Sequence, residues 1–330
     1  MSKSPVILGK NNTCTGCSYA ENFSYKNGAS VPIYDIKTPS AFNQLIGYAK
    51  YINNEYGNVY YRGVNGLYDN VSPSIMRKRT RGIGQDIKDF ISKIRDDEYL
   101  KESLHLKLDY KFQKNINHSL KNELKRNNKY IIEALLQHYI GKSRFIDVVD
   151  NHWIALWMGL HNFIECGEGG QFVTCEKRSI DVSNILDAAS DNICVLSDKF
   201  QSTAYEYVIL LAMPYAKKEP LRGVIETEQL VEVDLRKALP SIFLRPHAQH
   251  AMVIRKRDIE EKVYDAAYYD MASQVIGLLR IRTDLADKWL GEGKLVSKEN
   301  LFPSPSIDSG YNNLLKNELF DHNFQVKKYF

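Results

Sequence analysis

The sequence predicts an α+β fold, and three observations carry that expectation. Helical periodicity concentrates in the first half of the chain. Compact apolar, β-branched runs concentrate in the second half. The two kinds of segment do not alternate in the regular way a doubly wound sheet requires.

Taken in order, residues 1–38 are rich in Asn, Ser, Gly and Thr without periodicity, and read as an irregular lead-in. Pro39-Ser40 opens a helix with Ser40 as its N-cap, and Gly57-Asn58 ends it. Val59-Tyr60-Tyr61-Arg62-Gly63 is an aromatic, β-branched run that suits a strand. Helical stretches follow at roughly 85–97, 100–126 and 129–139. Gly141 then leads into a strand ending at Val149, and Asn151 starts an amphipathic helix reaching about Phe163. Further strands are expected at Gly170–Cys175, Tyr207–Leu211 and Met252–Ile254, with helix returning over residues 262–290. Leu301-Phe302-Pro303-Ser304-Pro305 cannot be helical across its prolines. The expected division is a lead-in over 1–38, a main domain over 39–260, and a C-terminal helical extension over 261–330 packed on it.

Composition narrows the class. At 330 residues the chain can form one elaborated domain or two. Mean hydropathy is negative, and no window approaches eighteen consecutive apolar residues, so no transmembrane helix is expected. The opening MSKSPVILGKNNT lacks an apolar run long enough for export, which points to the cytoplasm. The five cysteines are Cys14, Cys17, Cys166, Cys175 and Cys194, an odd and irregularly spaced set that fits free thiols. Cys14-Thr-Gly-Cys17 has the spacing of half a zinc site, but no second pair completes four ligands.

Net charge is only +4, unevenly placed: residues 1–150 carry +8 and the remainder −4. The densest run holds Arg77, Lys78, Arg79 and Arg81. It reads either as a solvated loop or as a patch contacting the phosphates of a nucleic acid.

Polar residues at core-like spacing raise the question of a site. The segment from Leu135 to Gly159 is apolar at most helical core positions, yet carries Gln137, His138, Arg144, Asp147 and His152. Four blocks around it are ordered along the chain. They are Tyr61-Arg62-Gly63 with Ser72-Pro73-Ser74-Ile75 and Arg77; Gln137-His138-Tyr139 with Ser143-Arg144-Phe145-Ile146-Asp147 and Ala155-Leu156; Arg245-Pro246-His247-Ala248-Gln249; and Leu301-Phe302-Pro303. Together they resemble the FRG-domain family and span about residues 40–315. The chain departs from the family pattern at Ile140 and Lys142, where Gly and Pro are usual, at Val148-Val149 for Trp-Thr, and at Ser143 for Thr.

The block order is in turn similar to that of ADP-ribosyltransferases, in which an Arg, a Ser or Thr, and a Glu or Gln sit at three successive strands. That similarity implies a split β-sheet core and use of NAD as substrate, with ADP-ribose moved to a protein or nucleic-acid acceptor. A bacterial toxin or anti-phage defence effector would have such an activity. It implies Arg62, Ser143 and Gln249 as catalytic residues, and Arg62, Gly63, His138, Ser143 and Arg144 as the NAD contacts, with no metal. A non-catalytic module that binds a nucleotide or a partner, acting as a sensor, is the alternative.

Each residue also has a plainer role. Arg62 offers a planar fork for a phosphate or ribose, or it buttresses a turn through backbone carbonyls. Gly63 permits close backbone approach. Arg144 and Asp147 are expected to pair and pin the corner between strand and helix, leaving Ser143 to face the pocket. His138 is either a general acid/base or a satisfied core histidine. Gln249 lacks the charge to stabilise an oxocarbenium ion, so Glu228 of Glu226-Thr227-Glu228 is a rival for the third-strand position. Asp147, Asp150 and His152 lack a third hard ligand at helical spacing, and no second cluster accompanies them.

Overall fold

The computed structural model describes residues 4–77, 129–141, 143–167, 172–178, 204–216, 219–259, 265, 267–316 and 326–329. Among them the architecture is α+β, built on a nine-stranded mixed sheet with a three-stranded sheet beside it. The helices expected at 85–97 and 100–126 lie outside the described residues, as do Lys78, Arg79, Arg81 and Cys194. No helix among the described residues is long and apolar enough to cross a membrane.

The chain opens with a hairpin, β1 (Cys17–Ser24) and β2 (Ser30–Ile36), where the sequence reads as irregular. A register shift between Tyr19 and Glu21 breaks the alternation that would have betrayed β1. Cys14 and Cys17 close a tight turn at its start, with Cys17 N donating to Cys14 O at 2.8 Å and Gly16 at φ +85°. Helix α1 (Pro39–Ile52) follows. Its cap is Thr38 rather than Ser40: the Thr38 hydroxyl accepts from Ala41 N, and Pro39 takes the first helical position, where its missing N–H costs nothing.

Strand β3 (Gly57–Val64) matches the aromatic run. Helix α2 (Lys129–Ile140), β4 (Ile146–Val149) and α3 (His152–Leu160, capped by Asn151) form the central segment. The helix ends at Leu160 instead of Phe163, because residues 161–166 are recruited as β5 (His161–Cys166) into a hairpin with β6 (Phe172–Lys177). Strands β7 (Tyr205–Pro214), β8 (Val224–Glu226), β9 (Leu230–Asp234) and β10 (Ala251–Lys256) complete the strand-rich half.

Residues 275–282, expected as helix, are β11 (Val275–Arg282), followed by α4 (Thr283–Trp289). VIGLLRIR is buried on both faces between β2 and β7, and a doubly buried strand is a continuous apolar run that helical periodicity fits equally well. Helix α5 (Ser309–Lys316) and β12 (Lys328–Tyr329) close the chain. The nine-stranded order is β1-β2-β11-β7-β3-β4-β10-β9-β8, so the large sheet takes strands from all three of the expected segments.

Alternation along β3 sends Tyr61 and Tyr60 to opposite faces. Tyr61 joins Phe42 of α1 and Trp157 of α3 in one core cluster; Tyr60 joins Ile209, Leu211 and Ile254 in another. A third cluster, with Leu135, Tyr139, Val231 and Val253, packs α2 over the β9-β10 end. The sheet nearly parts in the middle. β3 pairs with β7 along its whole length, but it meets β4 through a single residue pair, Tyr61 with Val149. The strands splay beyond that pair, and the opening is flanked by α2 on one side and α3 on the other.

Candidate functional site

The opening between β3 and β4 is a cleft of about 290 Å³. Its walls come from β3 (Arg62, Gly63), α2 (Gln137, His138), β4 (Asp147), the turn before β10 (Arg245, Gln249), and the aromatic side chains Phe302 and Tyr329. Four of the expected site residues therefore converge: Arg62, Gly63, His138 and Gln249. Ser143 and Arg144 do not line the cleft.

Arg62 spans the parted strands, its Nη1 donating to the backbone carbonyl of Asp147 at 2.6 Å. The carbonyl-buttressing role weighed from sequence is thus present, and it holds the guanidinium at the cleft wall. The neighbouring Gly63 serves packing. A Cβ there would sit 1.7 Å from Ala155 O and 2.7 Å from Gly159 N, so α3 can lie against β3 only because this position has no side chain.

The expected Arg144–Asp147 pair is absent. Arg144 is 3% exposed and faces the core. It donates through Nε and Nη2 to both oxygens of the fully buried Glu133, at 3.0 and 2.7 Å, and through Nη1 to Asp258 at 2.7 Å. Arg255, also fully buried, bonds the same Asp258 at 2.5 Å and lies 3.5 Å from Glu133. Burial works to raise the Glu133 carboxyl, but Arg144 and Arg255 together hold it below its ordinary value. Sequence proximity favoured Asp147 as the partner; α2 supplies a carboxylate in bidentate geometry instead.

Ser143, expected to face the pocket, is fully buried. Its hydroxyl accepts from Phe145 N at 2.9 Å and donates to Gln137 Oε1 at 2.7 Å. The Gln137 amide then donates through Nε2 to Asp147 Oδ2 at 2.6 Å. The amide orientation is fixed at both ends, because the carboxylate can only accept and the hydroxyl has one proton to give. Ser143 therefore reaches the cleft only through Gln137. The Asp147 carboxyl is raised above its usual range by burial, an effect partly offset by the Arg62 charge and the Gln137 bond.

His138 is buried, with no partner for Nε2. Burial first, and the neighbouring Arg245 charge second, push it well below its ordinary value. Arg245 is 4% exposed, and its Nε and Nη1 have no partner. Its guanidinium sits among three rings, 4.1 Å from the centroid of Tyr329, 4.8 Å from Phe302 and 5.1 Å from Tyr139. Lys327 and Glu165 pair at the rim.

Gln249 lines the cleft, but its Nε2 donates to Leu301 O at 2.8 Å. That bond ties the third sequence block to the fourth, and Phe302 beside it forms cleft wall. Glu226 ends β8 at the far edge of the large sheet and Glu228 lies on the exposed turn that follows, so neither reaches the cleft. Asp150 and His152 are engaged in separate contacts: Asp150 bonds Arg236 and His250, while His152 bonds Asn43. Sequence reasoning passed over Arg245, Tyr329 and the cleft-facing role of Asp147. Arg245 and Asp147 stood inside quoted blocks. Tyr329 carried no signal, since its place depends on β12 joining β6.

The arrangement defines an α+β protein with a cationic, aromatic-walled cleft at a parted sheet, suited to a small anionic ligand bearing rings. Residues 57–163 match the family model described as FRG domain, and that segment of the chain is an FRG domain. It runs from β3 to β5 and contains Arg62, Gln137, His138, Ser143 and Asp147. No curated protein and no solved structure matches the chain.

Proposed function

We propose that the chain is an NAD-dependent ADP-ribosyltransferase whose site is the cleft at the parted sheet. The observation that carries the reading is the convergence of Arg62, Asp147, His138 and Gln249 from two neighbouring strands, one helix and the turn before a third strand in that single cleft. The single-pair junction of β3 with β4 is the kind of division that a split-sheet core has. A dinucleotide needs cationic groups for its diphosphate and flat surfaces for its rings, and Arg62 and Arg245 stand beside Phe302 and Tyr329. A protein or a nucleic acid would be the acceptor, with Arg77, Lys78, Arg79 and Arg81 as phosphate contacts in the second case. A toxin or anti-phage effector in the cytoplasm is the setting that such an activity fits.

A second reading has an observation of its own. The amide of Gln249 is already committed to Leu301 O, and an amide carries no charge, which favours a non-catalytic nucleotide- or partner-binding sensor. Incubation with NAD labelled in both halves separates the two. Nicotinamide release with label transferred to protein or nucleic acid supports the transferase. Tight binding without release supports the sensor, and absence of binding removes both.

A further inference from the structure

We propose that Asp147 is the catalytic carboxylate of this cleft, and that Gln137 and Ser143 are positioning residues that aim it at the ribose of the bound dinucleotide. The inference rests on the transferase reading and deepens it. Cleavage at the nicotinamide bond places positive charge on the ribose C1′ and ring oxygen, as in glycoside hydrolysis, and a fixed anion close to those atoms lowers the barrier. The cleft must therefore supply a carboxylate.

Among the described residues, two carboxylates line it. Glu165 belongs to the small sheet and is neutralised by Lys327 at the rim. Asp147 stands on β4 beside the parting of the strands, in the field of Arg62 and held by one amide bond. Gln249 is uncharged and committed elsewhere, and neither Glu226 nor Glu228 lines the cleft.

The support behind Asp147 is continuous. Phe145 N donates to Ser143, Ser143 to Gln137, and Gln137 to Asp147, at 2.9, 2.7 and 2.6 Å. Every link is a side chain of the second sequence block or the backbone of that block. Two of the three side chains are buried, so their rotamers are fixed by packing. A buried serine holding a buried glutamine that holds a cleft carboxylate exceeds what packing alone requires, since apolar residues would fill the same space without polar atoms to satisfy.

The step balances as follows. The bond from C1′ to the pyridinium nitrogen breaks, and its electron pair leaves on neutral nicotinamide. The acceptor's O–H or N–H attacks C1′ and forms the new bond, and its proton passes to the Asp147 carboxylate and on to water. A carboxyl whose basicity is raised by burial is the better acceptor of that proton.

The test uses the full chain and NAD as the probe, following nicotinamide release and, separately, NAD binding by calorimetry. Asp147→Asn keeps the shape and one acceptor oxygen for Gln137. It should lower kcat by about 100-fold or more while the dissociation constant of NAD changes less than about threefold. Asp147→Glu should recover part of the rate. Gln137→Leu should lower kcat about tenfold, and it should move the acidic limb of the kcat–pH profile to higher pH, because the lost amide bond is one that lowers the Asp147 pKa. A purely structural glutamine would not shift that limb. If wild-type protein releases nicotinamide and Asp147→Asn does so at a similar rate, this assignment falls and the transferase reading stands. If wild type binds NAD without releasing nicotinamide, both fall.

Discussion

Glu133 holds two buried arginines, and its removal is the sharpest test of the core beneath the cleft. In Glu133→Gln the isosteric amide leaves Arg144 and Arg255, at 3% and 0% exposure, facing a single carboxylate, Asp258. Three hydrogen bonds from Arg144, counting its backbone N–H, lose their charged acceptor. Removing one partner of a buried ion pair costs roughly 3–5 kcal/mol. At about 2.1 cal/mol/K per residue, the unfolding entropy of a 330-residue chain is roughly 0.7 kcal/mol/K, so Tm should fall by about 4–7 °C. The assay is thermal unfolding by calorimetry at pH 7, with Asp147→Asn as the companion. That companion should melt nearly as wild type does, because Asp147 is not Arg144's partner. The pH dependence has a defined sign. Glu133 is lowered in the folded state, so its contribution is present above its ordinary 4.5 and is lost as pH falls through the lower folded value. Glu133→Gln should blunt the acid loss. A Tm shift below about 1 °C, or an equal loss in Asp147→Asn, would refute the network as described.

Three further outcomes are expected. Gly63→Ala places a Cβ 1.7 Å from Ala155 O, and two backbones cannot yield as a side-chain tip can, so it should cost roughly 3 kcal/mol or more, measured by urea unfolding. Glu232 is raised to about 7, first by burial and then by the charge of Asp234, although the Tyr60 hydroxyl bonds it at 2.5 Å. Its contribution is full below the ordinary 4.5 and is lost as pH rises through about 7, so stability should decline across that window and Glu232→Gln should flatten the decline. An unchanged slope in the variant would exclude Glu232 as the source and turn attention to the other raised carboxyls, Glu206, also raised to about 7, and Asp147. Arg62→Lys should impair NAD turnover almost as much as Arg62→Ala, since an ammonium cannot both bond the Asp147 carbonyl and present a planar fork. Free substitution by Lys would reduce Arg62 to a local charge.

Local chemistry was legible in the sequence where it decides structure, and illegible where a distant partner does. The aromatic run of β3, the Asn151 cap of α3 and the Met252–Ile254 core of β10 follow from propensity and capping, and they stand where expected. β1 and β2 did not show, because a register shift interrupts one and the other is completed by β11, some 240 residues on. β11 itself imitated a helix because both its faces are buried. In the site, Arg62 and Gln249 were legible from their blocks. Ser143 and Asp147 were exchanged: the hydroxyl was expected in the pocket and the carboxylate in the core. Spacing placed Asp147 three residues from Arg144, and nothing local revealed that Glu133, on the preceding helix, already held Nε and Nη2 of the arginine's fork while Asp258 held Nη1.

That exchange also explains why the second block needs both residues. Along β4, Ile146 and Val148 enter the core cluster that contains Tyr60, while Asp147 faces the cleft. Because side chains alternate, a slip of one residue would bury the carboxylate among Ile209, Leu211 and Ile254 and turn Ile146 into the cleft. β4 has four residues and only one pair with β3, so on the cleft side its register has no ladder to hold it and rests on the four-residue antiparallel ladder with β10 on the other side. Arg144, fixed to Glu133 on α2 and to Asp258 beyond β10, clamps the residue just before the strand from two sides. The β10 ladder and the buried ion cluster together hold the register that aims Asp147, and the Ser143–Gln137 relay holds its rotamer. Stability and site geometry are coupled through Arg144, although no atom of Arg144 lines the cleft.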